Sequence, residues 1–227
     1  MSEGLPLLDW NLTGFQQDLL TWYHHNGRRF PWRETSNPYA ILIAEKLLQQ
    51  TQARESVVSA YQALLRAYPS PHALAEANLA DVAAIIQPLG LAYRATELIK
   101  LGAGLVSLHE GAVPDKLSNL MALAGVGDYS ARAVLSFAFG YNVAVVDTNV
   151  ARIFYRVFSI SGRMPSNPAR KRSLIDLATA LLPAGQARQF NLALLDLGAL
   201  ICTHRAPACK DCPVLKYCDF GKASLAL

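Results

Sequence analysis

The spacing of apolar residues is the feature that most constrains the fold of this 227-residue chain. Along most of the sequence they recur every three or four residues, as on one face of an α-helix, and no convincing run alternates as a β-strand does. Helices are predicted at residues 12–23, 40–54, 56–67, 79–87, 93–108, 117–123, 129–139, 147–159, 171–182 and 187–201. Proline and glycine fall in the short connections between these segments. The sequence therefore predicts an all-α protein.

Composition places the chain among ordinary globular proteins. With 52% hydrophobic residues it can bury a substantial core, as one large or two small domains. The start of the chain does not resemble a signal peptide, and no segment approaches the roughly 18 consecutive apolar residues of a membrane-spanning helix. We expect a soluble cytoplasmic protein. Its net charge of +4 suits a polyanionic partner, although its basic clusters could equally be solvated surface.

A pair of glycines marks the segment most suggestive of ligand binding. Gly125 and Gly127 flank Val126 and precede residues 130–135, whose composition favours a helix. The glycines should form the turn that enters this helix and should expose backbone N–H groups there. Such amides, assisted by the helix dipole, favour an anion such as a phosphate. A tight turn between two helices, without a ligand, explains the pattern equally well.

The four cysteines lie within the last 26 residues, as Cys202, Cys209, Cys212 and Cys218. In a cytoplasmic chain such clustering indicates one metal centre rather than disulfides. Zinc sites usually combine two short knuckles across a longer insert, whereas here one short knuckle is flanked by gaps of six and five residues. The spacing favours an iron–sulfur cluster over zinc, and it favours buried thiols without a metal least of all.

Two carboxylates stand in positions suited to acid–base chemistry. Asp147 follows the apolar run 143–146 and precedes a helical segment, so it is either a helix N-cap or a reactive carboxylate at the edge of buried structure. Glu45 shares the apolar face of one helix with Ile41 and Leu48. Burial would raise the pKa of Glu45 and keep it protonated near neutral pH, as a general acid requires. Pairing with a buried arginine is the alternative role for Glu45.

Taken together, the LAGVGDY hairpin, the VVDTN segment and the cysteine spacing resemble the helix-hairpin-helix (HhH-GPD) DNA glycosylases of the endonuclease III and MutY type. The likeness runs from about Trp22 to Cys218, and the segments RRFPWR, NPY, LQQTQ and FN resemble the MutY-type adenine glycosylases especially. The resemblance implies two domains, a six-helix barrel at 37–145 that carries the hairpin and an iron–sulfur cluster domain formed by 1–36 and 146–227. DNA would lie across the cleft between the two, with the catalytic aspartate at their junction.

The resemblance also implies a cofactor and a set of DNA contacts. The four cysteines would hold a structural 4Fe-4S cluster that shapes a DNA-contacting loop. Gln50 would fill the gap left by an extruded nucleotide, or would be an ordinary glutamine at a helix end. The residues expected to contact DNA are Gly125, Val126, Gly127, Gln50, Arg33, Lys210 and Lys216. The expected partner is double-stranded DNA with a mismatched or damaged base, bound by a monomer that associates with the nucleoid.

The same resemblance assigns the chemistry. Asp147 would stabilise the positive charge that develops on the sugar, and Glu45 would protonate the leaving base. Tyr129 stands where endonuclease III relatives carry the lysine that forms a Schiff base and cleaves the strand. Lys46 lies about 100° around the helix from Glu45 and is not expected to replace that amine. We therefore expect water as the nucleophile, an abasic site as the product and Tyr129 in the lining of the base pocket.

The base that leaves is predicted from the remaining segments. The LQQTQ and RRFPWR segments and Glu45 favour adenine opposite guanine or 8-oxoguanine. Thymine or uracil opposite guanine is the alternative, because residues 90–95 depart from the expected GLGYYSR and are nearer to the thymine and uracil mismatch glycosylases. The sequence ends nine residues after Cys218, so a C-terminal domain that reads 8-oxoguanine is not expected. A non-catalytic DNA-binding module is a further alternative.

Overall fold

The computed structural model describes residues 10–51, 53–90 and 93–226. These residues form α-helices and short 3₁₀ turns, and no strand occurs among them, which confirms the predicted all-α fold. The helices are α1 Leu12–Asn26, α2 Pro38–Leu48, α3 Glu55–Ala67, α4 Pro71–Ala75, α5 Leu79–Ile86, α6 Arg94–His109, α7 Leu117–Met121, α8 Asp128–Phe137, α9 Thr148–Val157, α10 Arg172–Leu181, α11 Ala187–Leu200 and α12 Asp219–Leu225.

One compact unit spans Arg29–Phe139 and contains α2 to α8. Within it α2 packs against α8 and α3, and α4 packs against α6. The start of α2 is specified locally, by Pro38 in its first turn and by the side chain of Asn37, which caps it. Helix α2 is buried along nearly its whole length, and its buried residues include two charged ones, Glu45 and Lys46. Their positions are therefore decided by packing inside this unit.

The other compact unit combines the segment up to Arg28 with the segment from Gly140 onward, so both parts of the chain contribute to one core. Here α1 packs against α11, and both α11 and α12 pack against α9. The core centres on Phe15, Phe154 and Phe190, whose side chains are fully buried. Burying an aromatic side chain of this size contributes about 1.5–3 kcal/mol. Packing against α11 and α12 therefore holds α9 in place, and with it the N-cap residue Asp147.

Most predicted helices begin within two residues of the observed ones, but one predicted helix end is wrong. The segment predicted as a helix at 40–54 ends at Leu48, and Gln50 adopts a left-handed φ of 56°. The short helices α4 and α12 were not predicted. The signal for α4 is local, since Pro71 is its first residue and the Ser70 hydroxyl accepts a hydrogen bond from an amide of the first turn.

The two compact units divide the chain before Arg29 and before Gly140, whereas the predicted domain boundaries lie at 37 and 145. The assignment of a barrel domain and an iron–sulfur domain stays a prediction. Parts of several predicted segments lie outside the described residues, namely residues 1–9 of 1–36, Gln52 of LQQTQ and of the helix at 40–54, Leu91 and Ala92 of 90–95, and Leu227 of 146–227. Among the described residues, no helix combines the length and the apolar character needed to cross a membrane.

Candidate active site and cysteine loop

The glycine hairpin joins α7 to α8. Gly125 has a left-handed φ of 65°, which residues with a side chain adopt only at a cost, and a Cβ there would collide with the Lys46 amine. Gly127 is the N-cap of α8, and a Cβ at this position would meet open space among the described residues. Both glycines are exposed. The predicted turn into a helix is confirmed, and its backbone is open where α8 begins.

Val126 differs from the two glycines beside it. Its side chain is only 6% exposed, and its N–H donates to the carbonyl oxygen of Leu123 at 3.2 Å. This N–H already has a partner within the turn, and the contact of Val126 with DNA stays a prediction. Val126 closes the turn and packs it onto the core, and the two glycines supply the open backbone.

The first turn of α8 carries Tyr129, which is half-buried. The residue before it, Asp128, forms an ion pair with Arg132 one turn later. The N-terminus of a helix favours anions. Because Arg132 balances the negative charge of Asp128, that charge does not cancel this preference at the start of α8. An aromatic residue, rather than an amine, thus occupies the position next to the hairpin.

The carbonyl oxygen of Gly125 accepts two hydrogen bonds from α2 and the residue that follows it. Lys46 Nζ donates at 3.1 Å and Gln49 Nε2 donates at 2.9 Å. The Lys46 side chain is 2% exposed, and this burial lowers the pKa of its amine, although the nearby Glu97 carboxylate opposes the effect. Sequence reasoning set Lys46 aside and did not single out Gln49. The signal that could have joined them is their spacing of three residues, which places both on one face of a helix.

The loop after α2 holds Gln50 in its left-handed conformation, with the side chain exposed. Such backbone costs on the order of 1 kcal/mol for a residue other than glycine and persists only where the surroundings impose it. Arg94 on α6 imposes it here, since its Nη1 donates to the Leu47 carbonyl at 2.9 Å and to the Thr51 hydroxyl at 3.2 Å. The position of Gln50 beyond a helix end is consistent with a side chain that reaches outward.

Glu45 is 6% exposed, which confirms its predicted place on the buried face of α2. Aliphatic neighbours on the same helix, such as Ile41 and Leu42, are buried with it. Glu45 therefore has the burial that its predicted role as a general acid requires, and that role stays a prediction.

Asp147 is the N-cap of α9. Its Oδ1 accepts a hydrogen bond from the Val150 N–H at 2.7 Å, and its Oδ2 accepts one from Asn149 Nδ2 at 2.8 Å. Burial raises the pKa of Asp147 above its ordinary value, while these hydrogen bonds and the charge of Arg152 oppose the rise. The cap geometry considered from the sequence is thus present, and both carboxylate oxygens are held in fixed directions.

A chain of hydrogen bonds runs from Asp147 along α9 to the cysteine loop. Asn149, which donates to Asp147, accepts from Arg152 Nη2 at 2.9 Å, and Arg152 Nε donates to the Cys202 carbonyl at 2.8 Å. One turn later, Arg156 Nη1 donates to the sulfur of Cys202 at 3.2 Å. Sequence reasoning missed both arginines, although their spacing of four residues on a predicted helix was a signal for a shared partner.

The four cysteines have free thiols and together line one cavity, with Arg156 and Phe220 beside them. The Gly221 N–H donates to the sulfur of Cys218 at 3.3 Å, the Arg156 guanidinium donates to that of Cys202, and the Val214 backbone donates to that of Cys212. Burial raises the pKa of the Cys212 thiol to about 12. Among the described residues, no group of three or more His, Cys, Asp or Glu side chains converges closely enough to hold a single metal ion. Four thiols around one cavity with N–H donors to sulfur form a donor set that suits an iron–sulfur cluster, in which each thiolate binds its own iron.

The basic residues predicted to face phosphates have different surroundings. Lys216 Nζ forms an ion pair with Asp18 at 2.9 Å, and the Tyr217 hydroxyl donates to the same carboxylate. The Lys216 side chain is 66% exposed in this pair, and its contact with a phosphate stays a prediction. Lys210 is exposed, and the Arg33 guanidinium lies over the Phe30 ring at 5.3 Å.

Residues 43–179 match the sequence profile of a family described as "HhH-GPD superfamily base excision DNA repair protein". The chain belongs to this superfamily, which confirms the resemblance seen in the hairpin and the VVDTN segment. The matched residues include Glu45, the hairpin and Asp147, but they end before the cysteine loop.

Similar proteins with more particular names fall into two groups. A thymine/uracil-DNA glycosylase of Pyrobaculum aerophilum is 39% identical over 206 residues, covering 89% of this chain and 89% of that protein. An adenine DNA glycosylase of Mycobacterium tuberculosis is 39% identical over 208 residues, covering 91% of this chain and 67% of that protein.

Two solved structures extend the likeness to the fold. A thermostable thymine-DNA glycosylase has a TM-score of 0.87 and 34% identity, covering 93% of this chain and 97% of that one. A trapped endonuclease III–DNA covalent intermediate has a TM-score of 0.80 and 25% identity, covering 94% and 97%. The chain is therefore similar along nearly its whole length to enzymes that act on different bases.

Proposed function

We propose that this protein is a monofunctional DNA N-glycosylase that removes a mispaired base from double-stranded DNA and leaves an abasic site. The observation that carries the proposal is the half-buried carboxylate of Asp147, which two hydrogen bonds orient at the start of α9. Burial raises the pKa of Asp147 and so makes its charged form costly to the folded protein, which is unusual for a group that serves stability alone. Membership of a base excision repair superfamily supports a catalytic role for this carboxylate.

The reaction breaks the bond between C1′ of the sugar and a nitrogen of the base, and the electron pair of that bond leaves with the base. Positive charge then develops on the sugar, and the Asp147 carboxylate stabilises it. Because desolvation disfavours the charged form of Asp147, the appearance of a cation nearby is the change that most favours that form. Water adds to C1′ and loses a proton, which completes an abasic site.

Glu45 protonates the departing base in this scheme. The step needs a carboxyl group that still holds its proton near neutral pH, and burial at 6% exposure is the environment that favours this. Adenine leaves poorly without such protonation, so Glu45 supports adenine, opposite guanine or 8-oxoguanine, as the base removed. The similarity to an adenine DNA glycosylase is compatible with this choice.

Thymine or uracil opposite guanine is the second candidate. The likeness to a thermostable thymine-DNA glycosylase, at a TM-score of 0.87, favours it, as does the similarity to the thymine/uracil-DNA glycosylase of Pyrobaculum aerophilum. The reaction at the sugar is the same for both candidates. They differ in the pocket that receives the base and in how much the reaction depends on Glu45.

Absence of strand cleavage by the enzyme is part of the proposal. Cleavage by the endonuclease III route needs an amine that attacks C1′, and Tyr129 has none. Lys46 is the neighbouring amine in sequence, but it is 2% exposed and donates to the Gly125 carbonyl. Tyr129 therefore lines the pocket for the base, and water remains the nucleophile.

DNA is held through its backbone at the hairpin and is distorted by Gln50. The exposed Gly125 and Gly127 allow a phosphate to approach the amides at the start of α8. Exposed Gln50 fills the gap that an extruded nucleotide leaves, and Arg33 and Lys210 add charge. Lys216 contributes only where its pair with Asp18 opens.

Cys202, Cys209, Cys212 and Cys218 hold a 4Fe-4S cluster in this proposal. The cluster would supply a structural crosslink for the loop rather than redox chemistry. Arg156 and the Gly221 N–H donate hydrogen bonds to the sulfurs of Cys202 and Cys218. The loop so fixed carries Lys210 at the surface.

The experiment is single-turnover cleavage of labelled duplexes that carry A:8-oxoguanine, A:G, T:G or U:G, each analysed with and without alkali. Release of adenine supports the first candidate, and release of thymine or uracil supports the second. Strand breaks without alkali would overturn the monofunctional assignment. Binding without release from any of the four duplexes would favour a DNA-binding module instead.

A further inference from the structure

The reaction proposed above does not use Lys46, although this residue is among the most buried charged residues of the described chain. Its side chain is 2% exposed on α2, between buried aliphatic neighbours such as Ile43 and Leu47. An amine in such a place disfavours folding unless it is paired and hydrogen-bonded. An apolar side chain would fill the same volume without that cost, so packing alone does not explain the lysine.

The partners of Lys46 are specific. Its Nζ donates to the Gly125 carbonyl at 3.1 Å, and the carboxylate of Glu97 on α6 supplies the opposite charge. A Cβ on Gly125 would collide with this amine and would lie 2.9 Å from Glu97 Oε2. The left-handed glycine and the buried amine therefore fit each other, and the hairpin turn packs directly on the side chains of Lys46 and Glu97.

Gln49 converges on the same acceptor from the end of α2. Its Nε2 lies 2.9 Å from the Gly125 carbonyl and 3.4 Å from the hydroxyl of Ser130, which is buried in the first turn of α8. The next residue is Gln50, exposed and left-handed. The amide of Gln49 thus joins the loop that carries Gln50 to the turn that carries the phosphate-binding glycines.

We propose that Lys46 and Gln49 are positioning residues that lock the hairpin turn to the Gln50 loop, so that the grip on a phosphate and the extrusion of a nucleotide occur at one fixed spacing. This inference rests on the proposed function. Base extrusion requires a wedge and a backbone anchor that do not yield relative to each other. The Gly125 carbonyl, which accepts from both Lys46 and Gln49, provides such a fixed connection. If one donor is lost, the other remains in place.

The test uses the full chain with three variants, Lys46→Met, Gln49→Leu and both together. Lys100→Met is the matched control, since Lys100 also faces Glu97, at 3.9 Å, but its side chain is 63% exposed. Four quantities are measured for each: the single-turnover rate at saturating DNA, the Kd for the duplex, the melting temperature, and the fluorescence of 2-aminopurine placed beside the target base as a measure of extrusion. The duplex is the one that wild-type protein processes fastest.

Each single variant is expected to lower the saturated rate by about 3-fold to 10-fold, and the double variant by about 100-fold or more. The 2-aminopurine signal should fall in parallel, because the defect lies in extrusion. The Lys100→Met variant should match the wild type. Gln49→Glu places a carboxylate against the Gly125 carbonyl and should therefore impair extrusion more than Gln49→Leu does. If Lys46→Met does not fold, the comparison of these two Gln49 variants tests the positioning role.

A lowered melting temperature with an unchanged saturated rate and unchanged fluorescence would overturn the inference, since it would show a role in stability alone. Two failures remain distinguishable. If wild-type protein releases no base from any duplex, the proposed function fails. If it releases a base and the double variant extrudes and releases equally well, only the positioning role fails.

Discussion

Asp147 combines two requirements that conflict energetically. As the N-cap of α9 it satisfies the Val150 amide, which stabilises the helix by roughly 1 kcal/mol. Desolvation raises the pKa of its half-buried carboxylate, so the charged form is less stable in the folded protein than in the unfolded chain. A residue selected for stability alone would keep the cap and lose the charge, as asparagine does.

The first prediction concerns the pH dependence of stability. Because the pKa of Asp147 is raised, the folded protein binds more protons than the unfolded chain at pH values between the ordinary aspartate pKa of about 3.9 and the raised value. This group therefore makes stability fall as pH rises through that window. In Asp147→Asn the contribution is absent, so the melting temperature of the variant minus that of the wild type should increase as pH rises from about 4.

Differential scanning calorimetry across that pH range checks the prediction. The altered contact with Asn149 shifts the melting temperature difference by an amount that does not depend on pH. The informative quantity is therefore the slope of this difference against pH. A difference that stays constant or decreases as pH rises would contradict a raised pKa for Asp147.

Helix α9 carries the link between Asp147 and the cysteine loop. Arg152 and Arg156 project from successive turns and donate to the backbone and sulfur of that loop. Arg152 also donates to Asn149, whose amide holds Asp147. We therefore expect a displacement of the loop to reach the Asp147 carboxylate through these hydrogen bonds.

The second prediction tests this link with Arg152→Leu. The substitution removes donors from the Cys202 and Gly198 carbonyls and from Asn149, and partly buried acceptors left without partners cost about 1–3 kcal/mol. For a chain of this size, the melting temperature should fall by on the order of 5 °C. The single-turnover rate should fall as well, because Asn149 no longer holds Asp147 in one direction.

The matched control is Arg172→Leu on α10, where the side chain is 88% exposed and pairs only within its own helix. Exposed pairs of this kind contribute about 0–1 kcal/mol. Equal effects of the two substitutions on melting temperature and rate would show that Arg152 transmits nothing.

The helices and the candidate site differ in how far the sequence alone could predict them. Helix starts were close because their signals are local, such as Asn37 before Pro38. The end of α2 was missed because Arg94, distant in sequence, ends it by donating to the Leu47 carbonyl. Glu45 and the hairpin glycines carry signals within a few residues, whereas the convergence of donors on the Gly125 carbonyl exists only once α2 packs against the hairpin.

At the scale of the whole molecule, the cysteine loop belongs to the compact unit that is built from the segment up to Arg28 and the segment from Gly140 onward. Helix α12 follows the last cysteine and packs against α9, and Tyr217 beside that cysteine reaches Asp18 on α1. The loop therefore ties three helices of this unit together. A metal cluster bound there would stabilise the unit as a whole rather than one contact.

The third prediction concerns that cluster. Purified protein should contain about four irons per chain, with the visible absorption of an iron–sulfur cluster. Cys209→Ser should lose iron and lower the melting temperature, because a ligand of the crosslink is missing. Lys210→Met, one residue away, should keep its iron and weaken DNA binding only through the lost charge.

Metal analysis by mass spectrometry and thermal melting check this prediction on the same preparations. One zinc per chain would contradict the iron–sulfur assignment and would identify a mononuclear site. Full iron content in Cys209→Ser would exclude Cys209 as a ligand.

The claim that Asp147 drives base release is tested most directly by comparing Asp147→Asn with wild-type protein in single turnover, on the duplex that the wild type processes fastest, with the Kd measured in the same buffer. We expect base release to fall by at least about 100-fold while the Kd stays within a few-fold, because the carboxylate stabilises charge on the sugar and does not hold the backbone. Base release by Asp147→Asn at the wild-type rate would contradict this claim.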